Sequence, residues 1–178
     1  GLRNVRTTQL GRTLGFCPPV QAYGPYRAIE LVEPGRARIA NADMRATLDG
    51  ATGVLDVAIT CDAQGGVLRC AGFEAPLRRS GDRLVARLEI SDVPAWLPHT
   101  HGTPHLHRVS ADIDGVAVDL GRTGFRRVDI DRDHDGAGFG LILNGLPVFA
   151  RGACWTSADL IGLSDTRETY LPLLARMR

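Results

Sequence analysis

Four histidines, His99, His101, His105 and His107, fall within nine positions of this 178-residue chain. Imidazoles are the commonest transition-metal ligands, and alternate positions of a strand share a face, so this spacing raises the question of a metal centre. Two of the four sit in a Pro/Gly-rich loop and two on the strand that follows, with no Cys, Asp or Glu between them to complete a coordination shell. The expectation is structural histidines and no metal. A second candidate is the run Asp129, Asp131, Asp133 and Asp135 ahead of Gly136, which resembles the opening of a calcium loop. An EF-hand loop starting at Asp131 requires a bidentate glutamate at its last position, which is Ile142, and its flanks should be helices rather than strands. A solvated acidic linker is the better reading.

Cysteine chemistry is equally spare. Cys17, Cys61, Cys70 and Cys154 have no zinc-like spacing. If Gly65-Gly66 makes a two-residue hairpin turn, Cys61 and Cys70 face each other across the strands. That geometry allows either a disulfide or two reduced, half-buried thiols. There is no phosphate-binding glycine loop, nucleophile elbow or Ser/His/Asp grouping, and no cofactor is expected. The basic residues, all arginine, number 21 against 20 acidic ones, so a nucleic-acid partner is not expected. No apolar run is long enough to span a bilayer, and no membrane partner is expected. Residues 1–15 are polar and lack the apolar centre of a signal peptide, and the chain starts at Gly1, which reads as an excised segment.

The elements that would position these residues are strands. Alternation or strand composition marks residues 37–48, 53–61, 67–73, 84–90, 105–113 and 116–120, the last running on to 127–130. Turn signals stand at Gly65-Gly66, Ser80-Gly81-Asp82 and Asp114-Gly115. Six or seven short strands with no helical period between them predict an antiparallel β-sandwich of immunoglobulin-like architecture. Residues 1–36 are broken by Gly and Pro, leaving residues 28–32 as the convincing strand there. After Gly136 the pattern changes. Residues 139–143 and 146–151 flank Asn144-Gly145, the strongest short hairpin signal, which confines Pro147 to an edge or unpaired position. Asp165 and Glu168 then form a capping pair for a helix with Tyr170, Leu171, Leu174 and Met177 on one face. Pro172 predicts a kink in that helix or a later start.

Three pieces carry a family resemblance: Trp96-Leu97-Pro98-His99-Thr100-His101-Gly102-Thr103-Pro104; Thr123-Gly124-Phe125-Arg126; and Asn144-Gly145-Leu146-Pro147-Val148-Phe149-Ala150-Arg151-Gly152-Ala153-Cys154-Trp155. In this order and spacing they resemble the middle of glycoside hydrolase family 2, most closely its β-mannosidase branch. The run from Trp155 to Leu160 resembles the β-mannosidase form rather than the β-galactosidase form.

The resemblance implies an N-terminal jelly-roll-like domain, an immunoglobulin-like sandwich and a TIM barrel bearing two catalytic glutamates, the acid/base one following an asparagine. A retaining enzyme needs those carboxyl groups about 5–5.5 Å apart. No Asn-Glu dipeptide occurs here, and Glu30, Glu33, Glu74, Glu89 and Glu168 fall on strands or the last helix rather than at barrel-strand ends. No catalytic residue is therefore assigned. The resemblance places Arg151 and Trp155 at the end of the first barrel strand, where in the parent enzyme they would contact sugar. Cys154 departs from the family, which often has Asn there. On Trp96 the resemblance favours packing at an edge or domain contact.

The resulting expectation has three parts: residues 1–35, the tail of a preceding jelly-roll-like β domain; 36–131, the sandwich; and 132–178, the first β/α unit of a truncated TIM barrel. Such a segment would be a non-catalytic scaffold. Its partners would be the rest of the parent enzyme, which acts on a carbohydrate, and self-association would run through the C-terminal unit. The other expectation is a stand-alone sandwich module that binds a carbohydrate or a protein.

Overall fold

The computed structural model describes residues 39–152, 154, 158 and 166–177, together with Pro25 and Ile29. The strand expected at residues 28–32, apart from Ile29, lies outside the described residues, as do Asp165 and Trp155. Among the described residues the fold is mainly β with one helix, as expected. Seven antiparallel strands, β1 (Ile39–Asp49), β2 (Thr52–Cys61), β3 (Gly65–Cys70), β4 (Phe73–Ser80), β5 (Arg83–Ile90), β6 (His107–Ile113) and β7 (Val116–Thr123), run in the order β1-β2-β5-β4-β3-β6-β7.

Period-two alternation explains why these segments are strands and which face each buries. On β2 the inward set is Leu55, Val57, Ile59 and Cys61, and its register opposes Leu55 to Leu88 and Ile59 to Leu84 on β5. On the other side, Leu68 and Cys70 of β3 oppose Ala111 and Val109 of β6. All of these join one apolar core with Phe125 and Ile113, so the strand succession folds over itself as a sandwich. Among the described residues no polar or charged side chain is buried.

One strand ties the two layers together. β4 pairs with β3 from Phe73 to Arg78 and with β5 from Arg78 to Ser80, changing partner at Arg78. The sequence reading missed β4 by running one strand through residues 67–73. In fact Ala71 and Gly72 both take positive φ and turn the chain there, and Pro76 disguises the next strand. Pro76 is tolerated because it precedes the stretch paired with β5, where a missing amide would break a ladder bond. Both outermost strands carry an irregularity: Ala40 is extra on β1, and Leu120 is extra on β7. Next to the second, the Gly121 amide and then Arg108 hold the Asp119 carboxyl below its usual range.

The cysteine expectation needs correction. Gly65-Gly66 does not close a hairpin: both glycines lie inside β3, which pairs with β4 and β6 rather than β2. Cys61 and Cys70 are therefore not cross-strand partners, and both are free, buried thiols. Burial raises Cys70 from 9.0 to about 11. Because the folded pKa lies above the unfolded one, this group's stabilisation is complete below pH 9 and is lost as pH climbs toward 11. The stability difference between the wild-type chain and Cys70→Ala, followed by urea denaturation, should shrink across that window.

A second, three-stranded antiparallel sheet follows, in the order β10-β9-β8: β8 (Val128–Asp131), β9 (Gly140–Leu143) and β10 (Leu146–Val148). Asn144 and Gly145 both take positive φ between β9 and β10, the hairpin expected there. Pro147 stands on the edge strand, where its missing amide costs least. β8 belongs to this sheet and not to the sandwich strand that precedes it. The described residues 39–150 belong to one compact unit. Helix α1 (Arg167–Met177) belongs to the other unit and begins ahead of Pro172, so the later start is not what occurs. Thr166 precedes its first turn, with its Oγ1 3.4 Å from Thr169 Oγ1 and its carbonyl accepting from the Tyr170 amide.

Candidate functional site

The first two sequence pieces singled out above and Asn144 of the third converge at one end of the sandwich. Leaving β5, the chain anchors Val93 N–H to the Ala51 carbonyl (3.2 Å) and Trp96 N–H to the Phe125 carbonyl (2.8 Å). The following loop closes on itself: the amides of His101 and Gly102 both donate to Pro98 O, at 2.8 and 3.1 Å. Glycine is required at 124 because a Cβ there would stand 2.5 Å from the Trp96 ring. Arg126 lies over the same ring, 5.0 Å from its centroid, a cation–π stack. Phe125 is wholly buried, and Gly53 leaves the room for it: a Cβ at 53 would lie 2.7 Å from Phe125 and Val93.

Asn144 closes the junction. Its Nδ2 donates to Trp96 O (3.0 Å), its Oδ1 accepts from Arg127 N–H (2.8 Å), and its own amide donates to Arg127 O (3.0 Å). One residue thus sets the β9–β10 turn and ties the sandwich loop to the small sheet. The Asn-Gly pair signalled the turn, but its partner Trp96 is 48 positions away, so no local pattern revealed the clamp. Asn144→Ala should remove two side-chain bonds and destabilise the chain by about 1–3 kcal/mol, read from the urea midpoint. Asn144→Asp, which keeps the Arg127 contact, should lose less.

The metal candidates do not assemble. His99, His101 and His105 are exposed, and His101 Nδ1 lies 2.8 Å from Thr100 Oγ1. His107 packs its ring 5.7 Å from Phe125, with its buried Nε2 unpartnered among the described residues. Among the described residues no three His, Cys, Asp or Glu side chains are grouped to hold an ion. The aspartate run is not simply a linker: Asp129 and Asp131 lie on β8. Its carboxylates serve local contacts, Asp129 with Arg127 (2.8 Å), Asp131 with the Asp133 amide and Asp135 with the Ala137 amide.

The glutamates are equally dispersed. Glu74 pairs with Arg69 at 2.7 Å and Glu89 with Arg87 at 3.6 Å. Glu168 sits in the first turn of α1, where its own amide and the Thr166 hydroxyl hold it below the usual carboxylate range. Glu30 and Glu33 lie outside the described residues. Of the two sugar-contact candidates, Arg151 is exposed and Trp155 lies outside the described residues; Cys154 is an exposed free thiol.

About half of the chain is similar to proteins of known name. The chain is 30% identical over 91 residues to β-mannosidase B of Aspergillus fumigatus, a match covering 48% of the chain and 11% of that protein. It is 31% identical over 88 residues to β-mannosidase B of Aspergillus terreus, covering 46% and 10%. The chain resembles a segment of the β-mannosidases. The resemblance read from the sequence is thereby borne out, for a chain whose matches span about a tenth of those relatives' length. No protein-family model matches it. Among solved structures, the β-D-mannosidase of Dictyoglomus thermophilum superposes with a TM-score of 0.63 at 22% identity, over 80% of this chain and 20% of that one. The β-glucuronidase 3 of Bacteroides uniformis superposes at 0.66 and 19% identity, over 85% and 20%. At those identities the structural likeness speaks for the fold, and it supports the sandwich assignment.

Proposed function

We propose that this chain is a non-catalytic scaffold segment of a larger glycoside hydrolase, whose complete form removes terminal β-mannosides with retention. The observation that carries this reading is the three-stranded sheet. Its register puts Val128, Ile130, Leu141, Leu143, Leu146 and Val148 on one face. That face is wholly apolar, yet Val128, Ile130 and Leu146 keep 51%, 47% and 44% of their surface exposed. An apolar sheet face left half open is a surface built to be covered. The Trp96–Asn144 clamp holds this sheet to a rigid sandwich, a bracing role rather than a chemical one. The likeness to the β-mannosidases supports this reading of the parent's activity.

Within this reading residues 1–35 are the tail of a preceding β domain, 36–131 the sandwich and 132–178 the opening of a barrel, with β8 crossing the second boundary to join the small sheet. Arg151 and Trp155 contact sugar in the parent. Self-association of the isolated chain would use its C-terminal unit. The test is hydrolysis of an aryl β-mannoside: the purified chain should give no turnover, while the longer parent polypeptide should give it, with retained anomeric configuration. Turnover by the chain alone would refute the scaffold reading. The second reading, a stand-alone carbohydrate- or protein-binding module, draws on the complete apolar core within the sandwich. A parent reading frame encoding several hundred further residues with an Asn-Glu run favours the first reading over it.

A further inference from the structure

The outer face of the sandwich bears a groove of about 710 Å³, within the range of ligand sites. It crosses β1, β2, β5 and β4. One cross-strand row is Arg45–Asp56–Arg87, and the next is Asp43–Ala58–Val85–Arg78. Ala58, Val85 and Pro76 form an apolar floor between the charged groups.

The charges are unevenly committed. Asp56 pairs with Arg87 at 3.3 Å, and Asp43 with Arg83 at 3.7 Å. Arg45 and Arg78 have no ion pair or side-chain hydrogen bond among the described residues, and both are exposed. An unpaired guanidinium beside an apolar floor is a carboxylate receptor, since its planar fork matches two carboxylate oxygens. The two arginines stand three strand spacings apart, about 14 Å, so one carboxylate cannot meet both. Asp43 already accepts from Asn41 at 3.1 Å, and Asp56 from Arg87 at 3.3 and 3.4 Å, but each carboxylate oxygen has a second lone pair that can accept from a hydroxyl.

We propose that this groove binds an acidic oligosaccharide, its ring carboxylates on Arg45 and Arg78, its hydroxyls on Asp43 and Asp56, and its C–H faces on Ala58, Val85 and Pro76. The proposal stands or falls separately from the scaffold reading, because its test measures binding and not turnover.

The test is titration of the full chain with tetragalacturonate, with neutral mannotetraose and hexaglutamate as comparison probes, followed by calorimetry and by methyl and amide shifts at Ala58 and Val85. Tetragalacturonate should bind at least about tenfold more tightly than either comparison probe, and more weakly as salt rises. Arg45→Gln and Arg78→Gln should each weaken it about five- to tenfold, and the double variant should abolish it. Both side chains are exposed and unpaired, so the variants should melt with the wild type, which circular dichroism checks. No binding at millimolar probe, equal binding of mannotetraose, or indifference to both arginine changes overturns the proposal. Equal binding of hexaglutamate overturns the sugar assignment.

Discussion

Alanine in place of Phe125 should lower the stability of the chain by about 3–5 kcal/mol, the cost of removing a fully buried aromatic ring from a site that cannot collapse. Phe125 has no exposed surface, and its surroundings are already trimmed to receive it: Gly53 offers no side chain to move inward, the Val93 amide is bonded to the Ala51 carbonyl, and His107 is set in β6 opposite Thr123. Since small domains hold only about 5–15 kcal/mol in all, the loss is a large share of the total. Urea denaturation should show a lower midpoint with an unchanged slope, and Phe125→Leu should fall between the two. A loss below about 1 kcal/mol would mean that the junction repacks freely, and the clamp described here would then not be a rigid one.

The second large effect separates two adjacent glycines. At Gly66 an added Cβ would run into the backbone carbonyl of Asp112 on β6, with the Ile113 Cα at 3.2 Å. Backbone cannot rotate aside as a side chain does, so Gly66→Ala should force β3 from β6 and destabilise by about 3 kcal/mol or more. At Gly65 the nearest atom is the Leu77 carbonyl oxygen at 3.6 Å, ordinary contact, and Gly65→Ala should change stability by less than about 1 kcal/mol. Hydrogen exchange should localise the first effect to β3 and β6. Equal outcomes for both substitutions would contradict the pairing of these strands.

The same glycines show where the sequence was hard to read. Adjacent glycines between two apolar runs usually signal a turn; here Gly66 admits a close neighbouring backbone instead. That one misreading joined β2 to β3 as a hairpin and suggested a Cys61–Cys70 disulfide. β4 was lost to Pro76 and Gly72, residues that ordinarily end strands. Where burial alone set the pattern, as on β2 and β5, alternation was legible and so was the sandwich. Asn144-Gly145 was legible as a turn because turn chemistry is local. Its grip on Trp96 was not, because a contact across 48 positions leaves no periodic trace. The family pieces were visible as sequence, but their physical role, a packed joint made of a stacked Arg126, a glycine at 124 and a clamping Asn144, became clear only in space.

The partner change of β4 at Arg78 has a consequence for solubility. Two unconnected layers would end in four outermost strands; among the described residues this continuous ribbon ends in two, β1 and β7. Those two are the strands interrupted by Ala40 and Leu120, and they present Asp43, Arg45, Asp119 and Arg122 to water. A foreign strand seeking to extend the ribbon meets a misfit and a charge at either border, which guards a β-rich chain against fibrous accretion.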